Sequence, residues 1–187
     1  MTLATDEELM FHISKGETSA FDELYFRYSK RLLGYFIRML NFDKELAQDA
    51  LQDLFLKIAE GPEKFDRTQS FKTWIFSSAS NVCKNYYRHK QVVKNANEEI
   101  EYQGRNEIDL THYQTKFDAQ QFKKMLHEVL NELPAEKKEV FILKYQEEKS
   151  IKEIAEIQNC PEGSVKSRLH YTLKVLEEKL KMFNPVN

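Results

Sequence analysis

The sequence predicts an all-α protein: two small helical domains joined by a flexible acidic linker, with a helix-turn-helix in the C-terminal one. Three observations lead there. Turn-formers are scarce, with 5 Gly and 4 Pro in 187 residues, too few for the tight turns of an all-β chain. Apolar residues return at helical spacing through most of the chain, the pattern of helices buried along one face. A polar stretch without sustained period, residues 91–115 (QVVKNANEEIEYQGRNEIDLTHYQT), interrupts the pattern and reads as a tether. The division that results is 1–93, a linker at 94–116, and 117–187.

Charge follows the same division. The formal net charge is −2, yet residues 1–94 carry 14 Lys+Arg against 13 Asp+Glu and residues 119–187 carry 12 against 11. Residues 95–118 carry 2 against 6, so the whole deficit lies in the connector. Hydrophobic residues at 41% and charged residues at 31% suit a soluble globular protein. No run of about 18 apolar residues occurs, so no membrane insertion is expected. The opening MTLATDEELM is acidic and lacks a signal-peptide layout. Cys83 and Cys160 form no CxxC and sit near no His cluster, which points to unpaired thiols in a reducing cytoplasm and to no metal or cofactor.

Taken in order, Thr5 and Glu8 form a capping box that opens a short helix near residue 5. A longer helix over about 18–40 carries Phe21, Leu24, Tyr25, Tyr28, Leu32, Tyr35, Phe36 and Met39 at helical spacing. A third covers roughly 43–59 and is closed by Gly61-Pro62. Ser70 is placed to cap a fourth, roughly 70–90. Beyond the connector, helical patterning resumes near Lys116, Pro134 suits a first helical turn, and Ser150 with Glu153 makes a second capping box. A long helix follows QNCPEG.

The short helix SIKEIAEI, a turn and this long helix have the layout of a helix-turn-helix. Ile151, Ile154 and Ala155 are spaced to pack on Val165 and Leu169, which leaves Lys166, Ser167 and His170 outward, with much of Arg168. In such a motif the N-terminal residues of the second helix reach base edges in the major groove, where Lys and Arg meet guanine acceptors or phosphates. Spacing alone also allows an αα-hairpin with a solvated face.

The run LNELPAEKKEVFILKYQEEKSIKEIAEIQNCPEGSVKSRLHYTLKVLEEKL closely resembles the DNA-binding C-terminal region of bacterial sigma factors of the sigma-70 type. It looks most like the small extracytoplasmic-function (ECF) group. LuxR-type regulators carry a similar hairpin, so the N-terminal half decides between them.

There, DKELAQDALQDLFLKIAE has an apolar stripe from Leu46 to Ile58, with Asp49, Gln52, Asp53 and Leu56 mostly opposite. On chemistry alone this is a solvated face with an incidental Leu or a docking face for a partner helix. The DALQDLFLKI within it resembles the segment with which ECF factors dock on the clamp coiled coil of core RNA polymerase, which makes those four residues the polymerase-binding candidates.

Next, KFDRTQSFKTWIFSSASNVCKNYYRHK contains no acid between Asp66 and Glu98. Its outward set, Asn81, Lys84, Asn85, Arg88 and Lys90, suits the phosphates and unstacked bases of single-stranded DNA. The pattern F.TWIF..A.N...NYYR resembles the family's promoter-melting segment. That resemblance implies minus-ten recognition by Asn81, Lys84 and Arg88, with Phe65, Ser70 and Phe71 in or beside the loop that holds a flipped base. It likewise implies minus-thirty-five recognition by Lys166, Ser167, Arg168, His170 and Tyr171.

The resemblance covers nearly the whole chain, in order. It implies a cytoplasmic, non-enzymatic factor that directs core RNA polymerase to promoters, contacts duplex and melted DNA and, like many relatives, has an anti-sigma factor among its candidate partners. One departure stands out. Many family members continue past KSRLH with further Arg, whereas this chain reads Tyr171-Thr172-Leu173-Lys174. The acidic connector is a solvated tether or a strand favoured by basic channels of the polymerase. Two other readings compete: a stand-alone helix-turn-helix regulator, and a metal enzyme using Asp49 and Asp53, for which a lone DxxxD is thin support.

Overall fold

The computed structural model describes residues 4–97 and 119–183. Its elements are α1 (Asp6–Ser14), α2 (Thr18–Met39), α3 (Lys44–Glu60), a 3-10 turn (Pro62–Lys64), α4 (Phe71–Asn97), α5 (Ala119–Glu132), α6 (Ala135–Tyr145), α7 (Ile151–Gln158), α8 (Glu162–Lys179) and a closing 3-10 turn (Lys181–Phe183). No strand occurs among the described residues, and no helix there is long and apolar enough to cross a membrane.

Local signals place most of the helix starts. Thr5 and Glu8 exchange bonds at 2.7 and 3.2 Å, as do Ser150 and Glu153 at 2.8 and 3.2 Å, so both capping boxes form. Asp43 caps α3 by accepting from the Leu46 N–H at 3.0 Å. Pro134 sits at the N-cap of α6, where a missing N–H costs nothing. Ser70 precedes α4 as expected, but the Phe71 N–H donates to the Glu7 carboxylate 2.9 Å away on α1.

The fourth helix runs to Asn97, past the expected end near residue 90. Residues 91–97 hold neither Gly nor Pro, and once a helix is nucleated, each added residue gains a hydrogen bond without a new nucleation cost. Polarity alone made that stretch look like linker. The rest of the connector, with Glu98, Glu99, Glu101, Glu107 and Asp109, lies outside the described residues, as does Lys116.

In the N-terminal half, α1, α2, α3 and α4 pack around Leu24, Leu32, Phe36, Leu54, Ile58, Phe71, Ile75 and Phe76, all nearly inaccessible. Each such side chain is worth roughly 1.5–3 kcal/mol when removed from water. In the C-terminal half, α7 and α8 form the helix-turn-helix and α6 packs behind both. Ile154, Ala155 and Val165 are buried at that crossing, with Ile151 and Leu169 half-buried beside them. Asn159 closes α7 in the left-handed region (φ 50°), which an Asn side chain tolerates.

The two halves are not separate. One buried cluster runs from Phe36, Phe76 and Cys83 into Val140, Leu143, Ile154 and Ile157. Across that boundary α7 packs on α4 and α6 packs on α2.

Candidate polymerase and nucleic-acid interfaces

Three exposed faces carry the candidate residues. On α3, Ala47, Ala50, Leu51, Leu54, Phe55 and Ile58 are buried, so Asp49, Gln52, Asp53 and Leu56, at i, i+3, i+4 and i+7, make one outward stripe. Leu56 keeps 56% of its surface exposed among two carboxylates and an amide. Sequence periodicity also missed two exposed rings on α2. Tyr25, expected inward, is 43% exposed with its ring 4.7 Å from that of Phe55, and Phe26, off the apolar stripe, is 81% exposed.

On α4, Asn81, Asn85, Arg88 and Lys90 are exposed and Lys84 half-exposed. Beside this face, a groove between α3 and α4 is lined by Trp74, Ser78, Asn81 and Asn85, with Lys57 and Lys64 at its edge. Amide groups, a half-exposed indole and two ammonium groups are a suitable set for an unstacked base with its phosphate. Trp74, Lys57 and Lys64 were not singled out from sequence. Trp74 has the period of a core residue, and the two lysines come together with it only through the α3–α4 packing.

Phe65 lies in the loop before α4 and Phe71 opens that helix, and both rings are packed inward. Phe65 is 4% exposed and Phe71 fully buried. Their rings meet edge-to-face at 5.4 Å, Phe65 also packs on Trp74 at 5.3 Å, and Tyr28 packs on Phe71 at 5.3 Å. The physical cause is local. The 3-10 turn at 62–64 folds the loop back, and burying Phe65 is the largest apolar gain open to it. Ser70 stays exposed. Farther along the loop, Asp66 accepts from the Thr68 N–H at 2.9 Å and from its hydroxyl at 2.8 Å, and these bonds lower the Asp66 pKa.

On α8, Lys166, Ser167 and His170 face solvent. Tyr171 is 46% exposed, with the Lys137 ammonium 3.2 Å from its ring centroid. Arg168 is turned inward: its Nη1 donates to Gln158 Oε1 at 2.7 Å and approaches Cys160 Sγ at 3.4 Å. The residue stays half-exposed, and its guanidinium ties α8 to the end of α7 in this conformation. The departure at 171–173 also has a structural reason, since Thr172 is fully buried with its hydroxyl within reach of the Lys137 and Arg168 carbonyls, at 3.2 and 2.9 Å. Cys83 is buried and Cys160 half-buried, both as free thiols. Asp49 and Asp53 gain no third metal-type ligand among the described residues.

Residues 24–92 match the family model Sigma-70 region 2, and residues 123–176 match Sigma-70, region 4. The chain is 27% identical over 183 residues to an ECF RNA polymerase sigma-E factor of Haemophilus influenzae, covering 94% of this chain and 95% of that one. This chain belongs to the ECF group of the sigma-70 family. It is also 26% identical over 179 residues to the ECF RNA polymerase sigma factor SigW of Bacillus subtilis, across 90% and 93% of the two chains. In fold, the ECF factor is similar to the sigma factor RpoE of Bartonella quintana, solved in complex with the anti-sigma factor NepR. There the TM-score is 0.68 at 21% identity, over 88% of this chain and 98% of that one. Most of α2–α4 thus falls in the region 2 match and most of the helix-turn-helix in the region 4 match.

Proposed function

We propose that this ECF sigma factor binds core RNA polymerase through the α3 stripe and reads a promoter at two points, opening the DNA at one of them. Asp49, Gln52, Asp53 and Leu56 form the docking face, where an exposed Leu framed by acids meets a basic and apolar partner helix. Asn81, Lys84 and Arg88, with Ser70 and the adjoining groove, hold the melted minus-ten strand. Phe65 and Phe71 serve there as the packed floor beneath the loop. Lys166, Ser167, His170 and Tyr171 meet the minus-thirty-five duplex, and Arg168 joins them on release from Gln158. The factor supplies specificity and leaves catalysis to the polymerase, with which it acts in the cytoplasm. An anti-sigma factor, of the kind seen with the Bartonella quintana protein, is a further partner this reading allows.

The observation that carries the reading is the α4 face: no acid between residues 66 and 98, with the Trp74–Asn81 groove beside it. A duplex reader needs basic groups alone, whereas an indole and amides in a groove beside them suit an unstacked base of an opened strand. Promoter-specific transcription with purified core enzyme tests it. A stand-alone regulator would instead bind duplex tightly without polymerase, and a mobility-shift assay separates the two.

A further inference from the structure

At Tyr171 and Thr172, where the chain departs from the family pattern, the recognition helix meets the first turn of α6. Thr172 is fully buried, with its hydroxyl 3.2 Å from the Lys137 carbonyl. One residue earlier, the Glu136 carbonyl accepts from Gln158 Nε2 at 3.0 Å. Side chains from both helices of the helix-turn-helix thus hold two successive residues of α6. The backbone of Lys137 is fixed against α8 without help from its own side chain.

That side chain is half-exposed and lies over the exposed ring of Tyr171, its ammonium 3.2 Å from the centroid. The negative face of an aromatic ring attracts a cation placed this way. Among the described residues no carboxylate pairs with Lys137. It is also the third residue of α6, and a cation in the first turn of a helix stands against the positive end of the macrodipole. The helix gains nothing from a positive charge there. An anion brought to the site would.

The place of the ring says which anion. Tyr171 follows Ser167 by four residues, so it continues the outward face of α8 one turn farther on. In a helix-turn-helix the first turn of the second helix reaches base edges, while flanking groups meet the sugar-phosphate backbone. We propose that Lys137 belongs to the minus-thirty-five surface, its ammonium meeting a backbone phosphate beside the groove that α8 enters. Tyr171 is its positioning residue, a platform that orders a long side chain before DNA arrives and so lowers the entropy lost on binding. A ring contact takes up one side of the ammonium and leaves N–H donors for the phosphate. The inference rests on the promoter reading of α8 and extends the DNA face onto α6, outside the helix-turn-helix.

The test uses the holoenzyme and a duplex promoter fragment on which it initiates, with affinity measured from about 50 to 200 mM salt. Lys137→Gln removes the charge and keeps the backbone contact to Thr172. It is expected to weaken binding about fivefold and to lower the slope of log affinity against log salt by about 0.9, alike on fragments that differ at minus thirty-five. Lys137→Arg and Tyr171→Phe keep charge and ring and are expected to hold the wild-type slope. Tyr171→Leu is expected to lower it in the wild type and to change nothing further in Lys137→Gln, a coupling that loss of packing alone does not produce. An unchanged slope in Lys137→Gln overturns the proposal, as does a Tyr171→Leu effect that persists in full in that background. If Lys137→Gln does not fold, the contrast of Tyr171→Phe with Tyr171→Leu carries the test, and equal slopes overturn the platform. Lys166→Ala separates this inference from the reading beneath it. A lower slope there with an unchanged one in Lys137→Gln removes Lys137 alone, whereas unchanged slopes in both take α8 off the DNA.

Discussion

Arg168 of the recognition helix donates to Gln158 across 2.7 Å, and Gln158 is held by a second bond to Glu139. One amide thus satisfies a buried carboxylate with its nitrogen and orients an arginine with its oxygen.

Replacing Gln158 by Ala leaves Glu139 short of one donor in a buried site. The expected loss is about 1–3 kcal/mol of folding stability, the cost of an unmet buried polar group. Thermal or urea unfolding measures it. The same variant frees Arg168, so minus-thirty-five selectivity of the holoenzyme should change while selectivity at the minus-ten element stays as in the wild type.

The α3 stripe makes the opposite prediction about stability. Asp53→Ala and Leu56→Glu alter exposed side chains and should leave the unfolding midpoint within about 0.5 kcal/mol of wild type. Binding to core polymerase should weaken at least tenfold for Leu56→Glu, measured by competition for core enzyme. Undiminished binding of both variants would remove the α3 stripe from the interface.

Phe76 lies where the halves meet, with Tyr35 packed against it at 5.6 Å and the Lys149 ammonium 4.6 Å from its ring centroid. Fully buried, it should cost about 3–5 kcal/mol on replacement by Ala, which denaturant unfolding would read.

Stability should depend on alkaline pH in two opposing ways. Burial lowers both Lys138 and Lys149 from the usual 10.5 to about 8, so the unfolded chain binds more protons between those values and stability rises with pH. Burial raises the Cys83 thiol well above its usual 9.0, and Tyr28 and Tyr87 well above 10.0, so stability is lost once the unfolded chain ionises there. The expected profile climbs from pH 8 to about 9 and turns down beyond about 10. Lys149→Met should flatten the climb, and melting curves across that range would show it.

On α8, Lys166→Ala should weaken promoter binding by the holoenzyme similarly across sequences and reduce the slope of log affinity against log salt by about one phosphate contact. Unchanged slope would place Lys166 off the DNA.

What the sequence determined by itself is local or periodic. Thr5 with Glu8 and Ser150 with Glu153 cap helices because each pair lies three residues apart, and the α3 and α8 stripes follow from the 3.6-residue turn. The family motifs belong here too, since each is contiguous. Tertiary structure alone decided the rest. Phe65 turned inward because a folded-back loop put its ring against those of Phe71 and Trp74. The Arg168 guanidinium is bonded rather than free because Gln158 lies within reach. Glu147 is an ordinary carboxylate in EEK until α2, more than a hundred residues away in sequence, brings Arg31 and Arg38 to it. Such pairs leave no mark on local spacing. Their partners are chosen by packing between helices, and a charge reads as solvated until its burial and its counter-charge are both known.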